Sequence, residues 1–194
     1  MPPPLYGLVL AGGRSRRMGR DKALLDHEGV SQLEFAFSLL RRVTDHSYVS
    51  VRAEQGDGER GRYPQIVDRY ADMGPVAGIL SAMKAHADAD WLIIACDLPN
   101  LDEATLRYLV DNVSGEHPFT AFRSSHDDLP EPLCAVYRAG SDALLRRFLD
   151  EGIKCPRKML IRSDTCLLAQ PNPRALDNVN TPDDLERSVL GTGT

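Results

Sequence analysis

Five cations crowd into residues 14–22: Arg14, Arg16, Arg17, Arg20 and Lys22, with Asp21 the one acid among them. The whole chain carries 23 Lys and Arg against 28 Asp and Glu, a formal net charge of -5, so this concentration runs against its background. Directly before it, Ala11, Gly12 and Gly13 end the apolar run from Leu5 to Leu10. Paired glycines let the backbone turn sharply and approach a ligand with no Cβ in the way. The N–H groups of such a turn can form a concave set of donors. Arginine offers a planar fork to phosphate oxygens and lysine a movable point charge. A strand, a glycine turn and a cationic loop in succession describe an anion site suited to a nucleoside triphosphate.

The spacing excludes the two commonest phosphate loops. A Walker A loop needs Gly, four residues, then Gly-Lys-Ser/Thr. Here five residues separate Gly13 from Gly19, and Arg20 follows Gly19. That loop also lacks a dinucleotide G-x-G-x-x-G fingerprint. A triphosphate commonly comes with magnesium, which takes one or two carboxylates plus phosphate oxygens. Asp97 is the best candidate for that carboxylate, because it follows the most hydrophobic run in the chain, Trp91 to Ala95. Arg157 and Lys158 form a second, smaller basic cluster.

With 194 residues, 42% of them hydrophobic and 26% charged, the chain reads as one globular domain with a sizeable core. No run of eighteen apolar residues marks a membrane span, and Met1 to Gly7 lacks the pattern of a secretion signal. The negative net charge argues against general nucleic-acid binding, which draws on cation–phosphate contacts. Cys96, Cys134, Cys155 and Cys166 are scattered without a C-x-x-C, as free thiols in a reducing cytoplasm would be. The five histidines show no ligand spacing and receive no role.

The elements that must position these residues follow from periodicity and breakers. Residues 5–10 predict a buried strand. Residues 24–29 read as a small turn region, and 32–43 as a helix capped by Ser31. Residues 48–51 and 65–67 are short strands, separated by a polar, glycine-bearing stretch over 55–63 that reads as a mobile surface loop. Pro75 fits the first turn of a helix running to about His86. Gly78 inside that helix would cost about 1 kcal/mol relative to alanine; close approach of a ligand and helix–strand packing both account for it. Residues 91–95 predict a central strand buried on both faces, ending at Cys96-Asp97-Leu98-Pro99. Open α/β sheets bind ligands at that end of such a strand. Asp102 or the residue before it then caps a helix through Val110. Residues 118–123 form another strand; the prolines at the start of 129–138 mark that strand as an edge or place them at its beginning. An amphipathic helix over 141–151, short strands at 166–169 and 175–179, and a last helix opened by Thr181-Pro182 complete the chain. The alternation implies an α/β fold with a mostly parallel sheet flanked by helices.

The loop LAGGRSRRMGRDKALL resembles the signature L-A-G-G-x-S-x-R-M-G-x-D-K of the nucleotidyltransferase superfamily, and within it the molybdenum cofactor guanylyltransferase family. Cys96-Asp97-Leu98-Pro99 is similar to that family's metal-binding C-D-x-P, and Asn178-Val179-Asn180-Thr181-Pro182 to its N-x-N-T-P. The resemblance covers most of the chain, closely in the N-terminal half and loosely over 100–170. It departs at Ser50-Val51-Arg52-Ala53, where family members often carry asparagine, so that nucleotide contact is not carried over.

The resemblance implies a three-layer Rossmann-like nucleotidyltransferase domain over 1–194, with a nucleotide-binding half at 1–100 and an acceptor-binding half at 101–190. It implies transfer of GMP from GTP to molybdopterin, with pyrophosphate released. Leu10, Ala11, Gly12 and Gly13 would present backbone to base and ribose, and Asp68 would reach the nucleoside, with Asp72 as a nearby decoy. Arg17 and Lys22 would hold charge developing on pyrophosphate. Asp97 would carry Mg2+. Asn178 and Asn180, with Arg157, would meet the acceptor; the asparagines also suit an Asx-turn ahead of the last helix. Molybdoenzymes or cofactor-insertion proteins stand as implied partners. The open alternatives are another base or acceptor, such as cytidylyl transfer or a phosphosugar, and a nucleotide-binding protein without turnover.

Overall fold

The computed structural model describes residues 2–11, 26–27, 29–55 and 58–178. Strand β1 (Leu5–Leu10) is an interior strand, third in a seven-stranded sheet. It pairs in parallel with β4 (His46–Val51) on one side and β6 (Asp90–Ala95) on the other. Beyond β4 comes β5 (Gln65–Val67), also parallel. Beyond β6 the order runs through β8 (Pro130–Tyr137), β7 (Phe119–Arg123) and β9 (Thr165–Leu168). Strand β8 is antiparallel to both neighbours, and β7 and β9 run parallel. The short pieces β2 (Asp26–His27) and β3 (Val30–Ser31) make a separate antiparallel ribbon where the sequence read only as a turn.

Alternation along β6 divides the core into two layers. Leu92 and Ile94 face one side, where they join residues of α1 (Gln32–Leu40) and α3 (Glu103–Asp111). Trp91 and Ile93 face the other, against α2 (Pro75–Ala85), α4 (Asp142–Asp150) and α5 (Pro156–Ile161). Every residue of β6 is buried, as its unbroken apolar run predicts for a strand covered on both faces. The expected three-layer, mostly parallel architecture is thus present.

Helix starts follow the sequence closely. Ser31 Oγ accepts from Glu34 N at 3.1 Å and Asp102 Oδ1 accepts from Thr105 N at 2.7 Å, each satisfying a first-turn donor. Pro75 occupies the first turn of α2, preceded by Gly74 at φ 58°, a left-handed conformation that favours glycine.

Two expectations need correction, and one choice the sequence left open is decided. Residues 55–63 are not wholly a surface loop: Gly58–Arg62 forms a 3-10 turn with Arg60 buried, and Tyr63 packs on Phe37 with ring centroids 4.6 Å apart. Strand β8 is interior; its prolines fall at its start, ahead of the ladder with β6 that begins at Cys134, so their missing N–H groups break no bond to that neighbour. Residues 175–178 turn instead of extending, with Asp177 N donating to Arg174 O at 3.1 Å and Ala175 and Leu176 buried. The expected last helix lies outside the described residues.

Candidate active site

Strand register brings the candidate residues to one edge. Leu10 pairs with Ser50 on one side and Ala95 on the other, and Val51 pairs with Val67. The residues that follow these pairs, Ala11, Arg52, Asp68 and Cys96-Asp97, therefore line the carboxyl end of four adjacent parallel strands. Open α/β sheets bind ligands at that end. Strand β7 runs in the same direction as β6, so the segment after it and the start of β8 reach the same edge.

Asp68 is half-buried. Its N–H continues the ladder to Val51 O at 2.8 Å, and its Oδ1 accepts from Ser50 Oγ at 2.6 Å. Burial pushes the carboxyl above its ordinary range, while Ser50 and the Arg52 charge pull it partly back. The loop beyond it is held at its first two residues. Arg69 N donates to the buried Ser81 Oγ at 2.9 Å. Arg146 of α4 lies over the Tyr70 ring, 5.7 Å from its centroid, and donates to its hydroxyl at 3.2 Å. Asp72 stands apart from this arrangement, exposed and at φ 56°.

Gly78 answers the question its sequence position raised. A Cβ there would overlap Ser50 Oγ and come within 2.9 Å of Leu10 Cδ2. The glycine lets α2 close down on the ends of β1 and β4, so helix–strand packing explains it.

Asp97 is half-buried in the turn after β6, between the strand and the buried Leu98 and Leu101. Leu101 N donates to Leu98 O at 3.2 Å, closing that turn ahead of Asp102. Burial opposes the ionised Asp102, but the Thr105 backbone and side chain and Asn172 outweigh it and hold the carboxyl below its usual value.

On the other half of the edge, Arg157 bridges two carboxylates, Asp127 Oδ2 and Glu131 Oε2, each at 2.9 Å. The Leu129 N–H above all, with Ser124 and Arg157, keeps Asp127 below the usual carboxylate range against the opposing effect of burial. Lys158 is exposed. Asn178 is exposed at the end of a segment tied to the strand ends by Gln170 Nε2 to Arg123 O (2.9 Å), Ser125 Oγ to Pro173 O (2.9 Å) and His126 Nε2 with Asp177 Oδ1 (2.9 Å). Gly12, Gly13, Arg17, Lys22 and Asn180 lie outside the described residues.

The structure thus gathers Leu10, Ala11, Asp68 and Asp97 on one stretch of sheet edge and Arg157 on its continuation. Sequence reasoning missed Ser50, which orients Asp68, and Arg60, whose Nη2 donates to Ala11 O at 2.8 Å. Ser50 could have been found as the hydroxyl in phase with the end of a buried strand; Arg60 left no signal in a polar, glycine-rich stretch.

Comparison with known proteins agrees with this geometry. The chain is 35% identical over 182 residues to a molybdenum cofactor biosynthesis bifunctional protein of Synechocystis, covering 93% of this chain but 52% of that protein, about half its length. It is 32% identical over 189 residues to the molybdenum cofactor guanylyltransferase of Pseudomonas syringae, covering 93% and 90% of the two chains. The crystal structure of molybdopterin-guanine dinucleotide biosynthesis protein A from Archaeoglobus fulgidus shares the fold, with a TM-score of 0.78 at 24% identity over 96% of this chain and 98% of that one. The MobA-like NTP transferase domain matches residues 7–166, from the middle of β1 into β9, and with it Leu10, Ala11, Asp68, Asp97 and Arg157. On that match, and on its likeness to the Pseudomonas protein over nine-tenths of both chains, this chain belongs to the MobA-like NTP transferase family.

Proposed function

We propose that the protein transfers GMP from GTP to the terminal phosphate of molybdopterin, releasing pyrophosphate and forming a guanine dinucleotide. The observation that carries this reading is the placement of Asp68 and Asp97 on opposite sides of the β1 end, from which the cation-rich loop departs. The family membership and the names of the relatives support the choice of nucleotide and acceptor.

In this reading an acceptor phosphate oxygen attacks the α-phosphorus. One P–O bond forms, the bond to the β-phosphate oxygen breaks, and pyrophosphate leaves with the electron pair. The acceptor is already anionic, so no side chain need remove a proton. What the protein supplies is alignment and charge neutralisation. Leu10 to Gly13 present backbone to base and ribose, Asp68 accepts from the nucleoside, and Arg17 and Lys22 face the phosphates that leave. Arg157, Asn178 and Asn180 orient the acceptor. Residues 1–100 then serve the nucleotide and 101–190 the acceptor.

Asp97 fits a magnesium ion that arrives with the triphosphate. It is a single, half-buried carboxylate at a strand end, and no three His, Cys, Asp or Glu gather into a metal-holding group among the described residues. One protein carboxylate completed by phosphate oxygens is the usual magnesium arrangement in such sites. Bound there, the ion would neutralise triphosphate charge. Among the described residues no helix is long and apolar enough to cross a membrane. The reading places the reaction in the cytoplasm, with molybdoenzymes or cofactor-insertion proteins receiving the product.

The test is incubation of the purified protein with labelled GTP, magnesium and molybdopterin, with CTP, ATP and sugar phosphates as alternatives. A dinucleotide product from GTP and molybdopterin is expected, and Asp97→Asn or Lys22→Ala should abolish it without changing the fold. Product from another base or a sugar phosphate moves the assignment within the family. Tight GTP binding with no product from any acceptor makes the protein a non-catalytic binder.

A further inference from the structure

Arg60 is 4% exposed and sits on the 3-10 turn Gly58–Arg62, a segment whose composition suggests solvent. The turn is fastened on three sides. Glu59 bonds the hydroxyl of Ser31, which caps α1. Tyr63 packs on Phe37 of α1. The carbonyl of Arg60 accepts from Gln65 Nε2 at 2.8 Å, at the first residue of β5. From this base the side chain reaches across to β1 and donates Nη2–H to Ala11 O at 2.8 Å. Ala11 is itself buried and is the last described residue before the glycine turn.

Burying a guanidinium carries a desolvation penalty that a neutral strut would avoid. The bond to Ala11 gives that cost a use. The bond fixes the carbonyl of the residue from which the chain enters Gly12-Gly13, and so fixes the direction in which the loop leaves the sheet. A bond preset in this way needs no reorganisation when the ligand arrives.

We infer that Arg60 is a positioning residue for nucleotide binding, acting through the Ala11 carbonyl. The inference rests on the assignment of that loop to a nucleoside triphosphate. It concerns ground-state binding, so the effect belongs in the affinity for GTP and in its KM, and not in kcat or in the acceptor KM.

The experiment compares the full-length wild type with Arg60→Met and Arg60→Lys. Equilibrium binding of GTP with magnesium and no acceptor is measured first, then steady-state kinetics and the thermal midpoint. In Arg60→Met the GTP affinity should fall about 10- to 100-fold, the range for losing a hydrogen bond from a charged donor. At saturating GTP, kcat should stay within about 3-fold of wild type, since uniform binding and not transition-state binding is removed. Arg60→Lys keeps the charge without the fork and should restore part of the affinity. Unchanged GTP affinity in Arg60→Met overturns the inference. So does a loss in which kcat falls as far as affinity and lysine restores nothing, because that marks a purely structural role. If Arg60→Met does not fold, Arg60→Lys decides: a loss of about 3-fold or more in GTP affinity with kcat retained supports the inference, and wild-type affinity overturns it. Failure of the wild type to bind any nucleoside triphosphate refutes the parent assignment instead, and is seen before any variant is made.

Discussion

Ser50 Oγ donates to Asp68 Oδ1 at 2.6 Å across the ends of two neighbouring parallel strands, with the hydroxyl buried and the carboxylate half-open to the ligand edge. Burial raises the Asp68 pKa, and the Ser50 bond opposes that rise by favouring the ionised form. If the carboxylate accepts from the nucleoside, kcat/KM for GTP must fall as pH drops through that raised value, above the range of an ordinary aspartate. Ser50→Ala removes the donor, so the acid limb should move to still higher pH. A pH profile of kcat/KM for both proteins checks the direction; a limb that stays in place separates Asp68 from nucleotide binding.

The same residue carries a stability consequence of opposite sense. A carboxyl whose folded pKa lies above its unfolded one stabilises the fold most when protonated, and that contribution is lost as pH rises through the folded value. At neutral pH the ionised Asp68 therefore works against folding. Asp68→Asn keeps an oxygen for the Ser50 hydroxyl and removes the charge. It should unfold at the same urea concentration as wild type or a higher one, while binding GTP more weakly. Trp91, buried and the one tryptophan of the chain, reports the transition by fluorescence. A variant that is both less stable and fully able to bind GTP would reverse both assignments.

The architecture was legible where the pattern was local. The apolar runs at 5–10, 65–67 and 91–95, Ser31 and Asp102 as caps, and Pro75 at a helix start reappear almost residue for residue. Asp97 was singled out by its place just past a buried strand, and Asp68 by the family resemblance; the structure sets both at the carboxyl end of the parallel strands. What escaped were relations between segments distant in sequence. Nothing near Arg60 announces that its guanidinium will find Ala11, 49 positions earlier. Nothing in 129–138 says that β8 lies between β6 and β7, because its prolines look alike at a strand's edge and at its start. Residues 175–178 carry enough apolar character for a strand, but the buried Ala175 and Leu176 are delivered by a turn.

Gly78→Ala should be costly. The new Cβ would overlap Ser50 Oγ, lie 2.9 Å from Leu10 Cδ2 and 3.2 Å from Ser50 Cβ, all in the layer between α2 and the sheet. Overpacking of this kind typically destabilises by about 1–3 kcal/mol. The helix must lift or Ser50 must move, so GTP affinity should fall along with stability. Adding Ser50→Gly removes two of the three obstructing atoms. The double variant should therefore be more stable than the sum of the two single effects predicts, as read by urea unfolding. Strict additivity would show that the two residues do not compete for the same space.

Asp102 joins the turn that carries Asp97 to the start of α3, and its Oδ2 also accepts from Asn172 Nδ2 at 3.4 Å. Replacing such a cap by alanine usually costs about 1 kcal/mol. Its lowered pKa sets the pH dependence: the contribution is present above the unfolded aspartate value and is lost as pH falls through the lower folded one. The difference in urea midpoint between wild type and Asp102→Ala should therefore be largest near neutral pH and shrink in acid. A difference that grows on acidification would contradict this account.

Arg157 offers a test of the acceptor half. Asp127 and Glu131 already hold its guanidinium, so an incoming phosphate must compete with two carboxylates. Arg157→Ala should raise the acceptor KM while the affinity for GTP, measured without acceptor, stays near wild type. Glu131→Gln makes the sharper prediction. It keeps the side-chain shape and removes one competing charge, leaving Arg157 more available to an anion. The acceptor KM should fall, on the order of 2- to 5-fold given that a partly exposed ion pair is a weak competitor. If Arg157 serves only to pin α5 to the start of β8, weakening that pin would leave the acceptor KM unchanged or raise it. Steady-state kinetics in molybdopterin at saturating GTP, at two ionic strengths, separate the cases: the gain should shrink as salt screens the charges.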